Sequence, residues 1–245
     1  MTASNAPRRG QSVSALLETA TQVFRMTLLK CLPFAMIAVL IVDIPNFYWV
    51  ASGHSLERGL PTEPVYLWLS GITEAIALYI GSAMMLRQLY FSGGFAVNAK
   101  QELTLAARRF PSLLASFMLM YVSLIVGFVL AIIPGIFLLV CYLVLVPVVL
   151  LEGQLNPVYA LRRCIRLVGP NWWRVCAAFV IATLAILISA IFIAAILGIL
   201  ANLFAGQGPV VQAVTAAGVV AIGAMVIVFF SALALAVHSS ASNSA

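Results

Sequence analysis

An all-α, polytopic membrane fold is what this sequence predicts, and three observations carry the prediction. Hydrophobic residues make up 64% of the 245-residue chain and charged residues only 8%, far from the balance of a water-soluble domain. The apolar residues fall into six continuous runs, near the roughly 20 residues a helix needs to cross about 30 Å of hydrocarbon. An outer-membrane barrel would instead show short alternating segments. The basic residues, finally, stand in small groups at the ends of these runs. Six transmembrane helices are therefore expected, as three helical hairpins, each preceded by a cytoplasmic amphipathic interfacial helix.

Residues 1–11 read as a disordered cytoplasmic tail, because Arg8 and Arg9 are followed by no apolar signal core at the right distance. A single transmembrane domain is expected over 12–238. From Ser12 to Lys30, Val13, Leu16, Leu17, Ala20 and Phe24 recur at helical spacing between Glu18, Gln22 and Arg25, so this stretch suits the membrane interface. Pro33 introduces the first span, 31–50, which ends in the aromatic belt Phe47, Tyr48 and Trp49. A polar loop with His54, Glu57, Arg58 and Glu63 leads to the second span, 65–86, closed by Arg87.

Asn98 with Gln101 three residues on predicts a helix start. That short helix ends at Arg108, Arg109 and Phe110, and Pro111 opens the third span, 112–133. Pro134 and Gly135 suit the central positions of a type II turn, where proline pre-sets the first angle and glycine accepts a positive φ. The fourth span, 136–151, would then be about 24 Å long, so its tip is expected below the outer surface. Glu152 and Gly153 close it.

Asn156 and Pro157 are an N-cap and first-turn pair. On the following helix Arg162, Arg163 and Arg166 share one arc, and Val158, Leu161, Cys164, Ile165 and Val168 the other. Gly169 and Pro170 stop it. Trp172, Trp173 and Arg174 mark an interface where the fifth span, 173–204, begins, and the sixth covers 210–237. Residues 239–245 read as a second disordered tail. Amphipathic helix, basic residues, proline and span recur three times, with Pro33, Pro111 and Pro170 in register.

Six spans put both termini on one side, together with 12 of the 13 basic residues; only Arg58 lies opposite. The positive-inside rule makes that side the cytoplasm. The net charge of +6 then faces an anionic membrane surface, not nucleic acid. Cys31, Cys141, Cys164 and Cys176 show neither metal spacing nor a disulfide framework and read as packing residues. The lone histidines His54 and His238 have no second ligand nearby, and no nucleotide loop, zinc helix or nucleophile elbow occurs. No metal or other cofactor is expected, and no enzyme activity.

Asp43 and Glu74 are acids inside spans, which makes them functional candidates by default. Each lies twelve residues from the cytoplasmic end of its span, so they could share a proton or a cation. The structural alternative is a neutral, hydrogen-bonded Glu74 inside the bundle and an Asp43 that satisfies backbone groups near the outer interface. Arg108, Arg109, Arg162, Arg163, Arg166, Trp172, Trp173 and Arg174 are candidate contacts for anionic lipid head groups; keeping these loops inside is the alternative use of the same charges. Glu152 is expected to pair with Arg162 or Arg163. Gly81, Gly127, Gly198 and Gly223 read as close-packing positions between helices.

The run IIPGIFLLVCYLVLVPVVLLEGQLNPVYALRRCIRLVGPNWWRV resembles the core motif of a bacterial membrane family. That family is the membrane domain found with some glycerophosphodiester phosphodiesterases, together with the YciC-like inner-membrane proteins. The resemblance covers about residues 98–180, with Pro134, Gly135, Glu152, Arg162, Arg163, Trp173 and Arg174 as motif positions. It implies a six-helix module of the bacterial inner membrane and carries over no phosphodiesterase activity, because no soluble catalytic segment is present. The expected role is that of an organising or accessory membrane protein engaging anionic lipid or a membrane protein partner through basic cytoplasmic helices. A small-solute or ion transporter using Asp43 and Glu74, and an accessory subunit of a phospholipid-metabolising enzyme, are the alternatives.

Overall fold

The computed structural model describes residues 12–52, 63–92, 99–153, 156–204 and 209–242. Among them there is no strand, and six helical stretches are long and apolar enough to cross a membrane. The chain is thus a multi-pass membrane protein built of helices. Arg8, Arg9, His54, Glu57, Arg58 and Asn98, singled out above, lie outside the described residues, as does the tail 1–11.

Helix α1, Val13–Ala51, is 39 residues long, about 58 Å at 1.5 Å per residue. Ser12 caps it, its hydroxyl accepting from the Ala15 amide at 3.2 Å. Where the proline pattern predicts a break at Pro33, the helix runs straight through, and Pro45 lies inside it as well. The expected interfacial segment and first span are one element. Helix α2 is Pro64–Ser92 and α3 Ala99–Leu130, and α3 likewise contains Pro111 instead of restarting there. A proline removes one backbone hydrogen bond, and in a membrane helix neighbouring groups absorb that loss.

The chain reverses after α3, but not through Pro134 and Gly135. Ala131 is the hinge, with φ −172° and ψ 158°, and α4, Ile132–Cys141, starts at the next residue. Pro134 falls in the first turn of α4, where a missing N–H is harmless. Gly135 donates from its amide to the Ala131 carbonyl at 3.4 Å, and its φ is not positive. Glycine is needed there for space: a Cβ at Gly135 would overlap the Phe128 ring. One at Gly127 would sit 3.3 Å from the Gly135 Cα. The corrected turn lengthens the fourth stretch to the 20 residues Ile132–Leu151, about 30 Å.

Pro147 interrupts that stretch. It cannot donate to Leu143, and the chain tightens into a 3-10 turn at Tyr142–Val144 before α5, Leu145–Leu151. Gly153, with φ +66°, carries the chain out of α5. Helix α6, Pro157–Val168, is capped as expected, Asn156 Oδ1 accepting from the amides of Val158 at 3.0 Å and Tyr159 at 3.4 Å. After a 3-10 turn at Gly169–Asn171 come α7, Trp172–Phe204, and α8, Pro209–Ser242. The polar tail expected from 239 is therefore helical as far as Ser242.

The core gathers around α4 and α5. Cys141, Val144, Leu145, Val148 and Val149 are all buried, packed with Leu16 and Ala20 of α1, Leu113 of α3, and Leu233 and Val237 of α8. Helix α1 also packs along α2 and α8, and α7 along α8. A Cβ placed at Gly223 would meet the Val39 methyls at an ordinary 3.5 Å, whereas one at Gly81 or Gly198 would have no packing neighbour within 4 Å among the described residues. The four cysteines are free thiols, three of them buried.

Candidate functional site

Helix α6 divides its surface sharply. Ala160, Leu161, Cys164, Leu167 and Val168 are buried in the main core, while Arg162 and Arg166 are exposed. Its direction is set at two points. At mid-helix, Arg163 Nε reaches Glu152 Oε2 at 2.9 Å and Oε1 at 3.2 Å. At the far end, Trp172 Nε1 donates to the Phe137 carbonyl at 3.2 Å and the two rings lie 5.6 Å apart. The helix therefore doubles back along α5 and α4 instead of lying across their end, and its basic face stands beside them.

The eight predicted lipid contacts separate by orientation. Arg108, Arg162, Arg166, Trp173 and Arg174 are exposed, Trp173 by 79%. Arg174 donates to Asn171 Oδ1 at 3.3 Å on its own segment. Arg109, Arg163 and Trp172 turn inward. Arg109 Nη2 lies 3.6 Å from where a Cβ on Gly153 would be, so this guanidinium covers the turn after α5. Glu152 chooses Arg163 over Arg162, and its Oε1 is also 3.3 Å from His238 Nε2. That carboxylate ties α5, α6 and α8 together.

A second polar cluster went unnoticed in the sequence. Glu102 of α3 is fully buried and paired with Arg87 of α2, Nε to Oε2 at 2.9 Å. Arg87 also donates to the Lys30 carbonyl at 3.3 Å and lies over the Phe34 ring at 4.5 Å. The adjacent Gln88, also fully buried, donates to the Val228 carbonyl at 2.9 Å and accepts from the Ser231 hydroxyl at 2.7 Å. A signal existed: Glu102, Ala106 and Leu113 are spaced at 4 and 7 residues, which places the acid on the buried face of α3. Likewise Ser231 and His238, seven apart, share one face of α8.

Asp43 and Glu74 are not brought into contact. Asp43 Oδ1 accepts from Asn46 at 3.5 Å, and Asn46 accepts from the Tyr66 hydroxyl at 2.8 Å. Glu74 is exposed and makes no hydrogen bond or ion pair among the described residues. It lines a groove of 260 Å³ between α1, α2 and α3. No group of His, Cys, Asp or Glu that could hold a metal occurs among the described residues. Comparison with family models, with characterised proteins and with solved structures finds no match to this chain.

Proposed function

We propose that this chain is a non-enzymatic organising or accessory module of the bacterial inner membrane that engages anionic lipid head groups through the exposed face of α6 and the start of α7. The supporting observation is the pair Arg162 and Arg166: their helix is locked into the core by its opposite face, yet neither guanidinium has an acidic partner among the described residues. Basic residues at an anionic surface contribute about 1 kcal/mol each. Arg162, Arg166 and Arg174 together then supply about 3 kcal/mol, a preference on the order of a hundredfold. Holding this face at the head groups requires α4 and α5 beneath it to be inclined to the bilayer normal. Both termini are placed in the cytoplasm, as the distribution of basic residues asks, and the resemblance to the phosphodiesterase-linked membrane family fits such a role.

The test is native mass spectrometry of the protein extracted in native lipid discs, with and without Arg162→Gln and Arg166→Gln together. Stoichiometric anionic lipid that is lost on replacement is the expected result. Equal retention by the double variant would remove the proposal, and a co-purifying protein lost on replacement would turn it into a protein-docking face.

A further inference from the structure

Glu74 stands ten residues into α2, about 15 Å from its beginning, among side chains that face outward. Leu67, seven residues earlier on the same face of the helix, is 56% exposed and Gly71 is exposed as well, the pattern of a surface turned to lipid. Intramembrane acids almost always face the bundle interior or a water-filled cavity and take a partner there. Glu74 has none: the groove it lines carries no basic side chain, and Arg87, further along α2, is engaged by Glu102. Kept ionised in such a place, a carboxylate needs a counter-charge from outside the protein.

The walls indicate what kind. Val42, Leu78, Leu114, Phe117, Met118 and Tyr121 surround the carboxylate, so the groove is apolar apart from Glu74 and the phenol. Two aromatic rings and a polarisable thioether beside one anion favour a cation whose charge is spread over alkyl groups and weakly hydrated. A small inorganic cation would find too few oxygen ligands here. At 260 Å³ the space is slightly below that of ordinary small-molecule sites, which limits the occupant to a compact molecule. Because the groove opens on the lipid-facing side, access from the bilayer is direct.

We propose that this groove binds a membrane-dissolved organic cation, an alkylated ammonium with a small aromatic or alkyl body, with Glu74 as its counter-charge. The site shares no residue with the basic face of α6 and is independent of the lipid reading. The probe is radiolabelled benzyltrimethylammonium, measured by equilibrium dialysis against the protein in lipid nanodiscs, with empty discs as the blank. Saturable binding of one probe per chain is expected, weakened roughly tenfold or more by Glu74→Gln and retained in part by Glu74→Asp. Met118→Trp, which fills the groove from an exposed position and leaves the acid in place, is expected to abolish it; this variant decides the matter if Glu74→Gln does not fold. Absence of saturable binding overturns the proposal, as does equal binding by either Glu74→Gln or Met118→Trp. Cross-linking through Gly71→Cys, at the lining of the groove, that shows a second copy covering it and excluding the probe overturns it too.

Discussion

A methyl group at Gly135 has nowhere to go, because the Phe128 ring already occupies its position. Gly135→Ala is therefore expected to lower the stability of the detergent-solubilised protein by about 1–3 kcal/mol, as overpacking does. Thermal unfolding followed by circular dichroism checks this, and adding Phe128→Ala should recover part of the loss. Were the glycine needed for a turn, the second change would rescue nothing. Glu152 makes a different kind of contribution. It accepts twice from Arg163 and lies beside His238, with about a fifth of its side chain still exposed. Glu152→Gln should cost about 1–2 kcal/mol, the range for hydrogen bonds to charged groups discounted for exposure. In an Arg163→Met background the same change should cost clearly less, and equal costs in both backgrounds would show that the pair is not coupled.

Two buried polar contacts join helices, and their magnitudes decide which one matters more. The Arg87–Glu102 pair has a fully buried carboxylate and a guanidinium 17% exposed; removing one partner of such a pair costs about 3–5 kcal/mol because the other charge is stranded. Gln88 makes two neutral hydrogen bonds to α8, and interhelical bonds of this kind average about 0.6 kcal/mol each in membrane proteins. Glu102→Gln should therefore destabilise more than Gln88→Leu, and the reverse order in melting experiments would contradict this account. The prolines differ in the same measurable sense. Pro33 and Pro111 are carried inside long helices, whereas Pro147 follows a 3-10 turn in the most enclosed stretch of the chain. Lipid and neighbouring helices can adapt around a long helix; the packed interior leaves the backbone itself to adjust.

The arrangement of the whole molecule is tested by side-specific labelling. Ser12, Ser52 and Ser242 are exposed positions near the two ends of α1 and the end of α8. In intact cells an impermeant maleimide should reach a cysteine at Ser52, but reach one at Ser12 or Ser242 only after permeabilisation. The background is Cys176→Ala, since the remaining cysteines are buried. Labelling of Ser12 and Ser242 from opposite sides would mean an odd number of crossings. It would also mean that α4 and α5 enter and leave by the same face.

The sequence by itself determined the helical membrane class, because a run of apolar residues long enough to cross a bilayer is a one-dimensional property that no packing can hide. It also determined local ends such as the Asn156 cap and the break at Gly153, where the deciding groups are only a few residues apart. The choice of Arg163 for Glu152 was halfway legible: the acid and two candidate arginines stood out, but which one faces α5 depends on how α6 is laid against it. Only the tertiary structure decided that α6 folds back along α4, that Gly135 serves close approach instead of a turn, and that Glu102 is buried while Glu74 is not. Each of these depends on which helix faces are covered by neighbours distant in the chain. In a membrane both covered and uncovered faces are apolar, so the polar alternation that reveals burial in a soluble helix is missing.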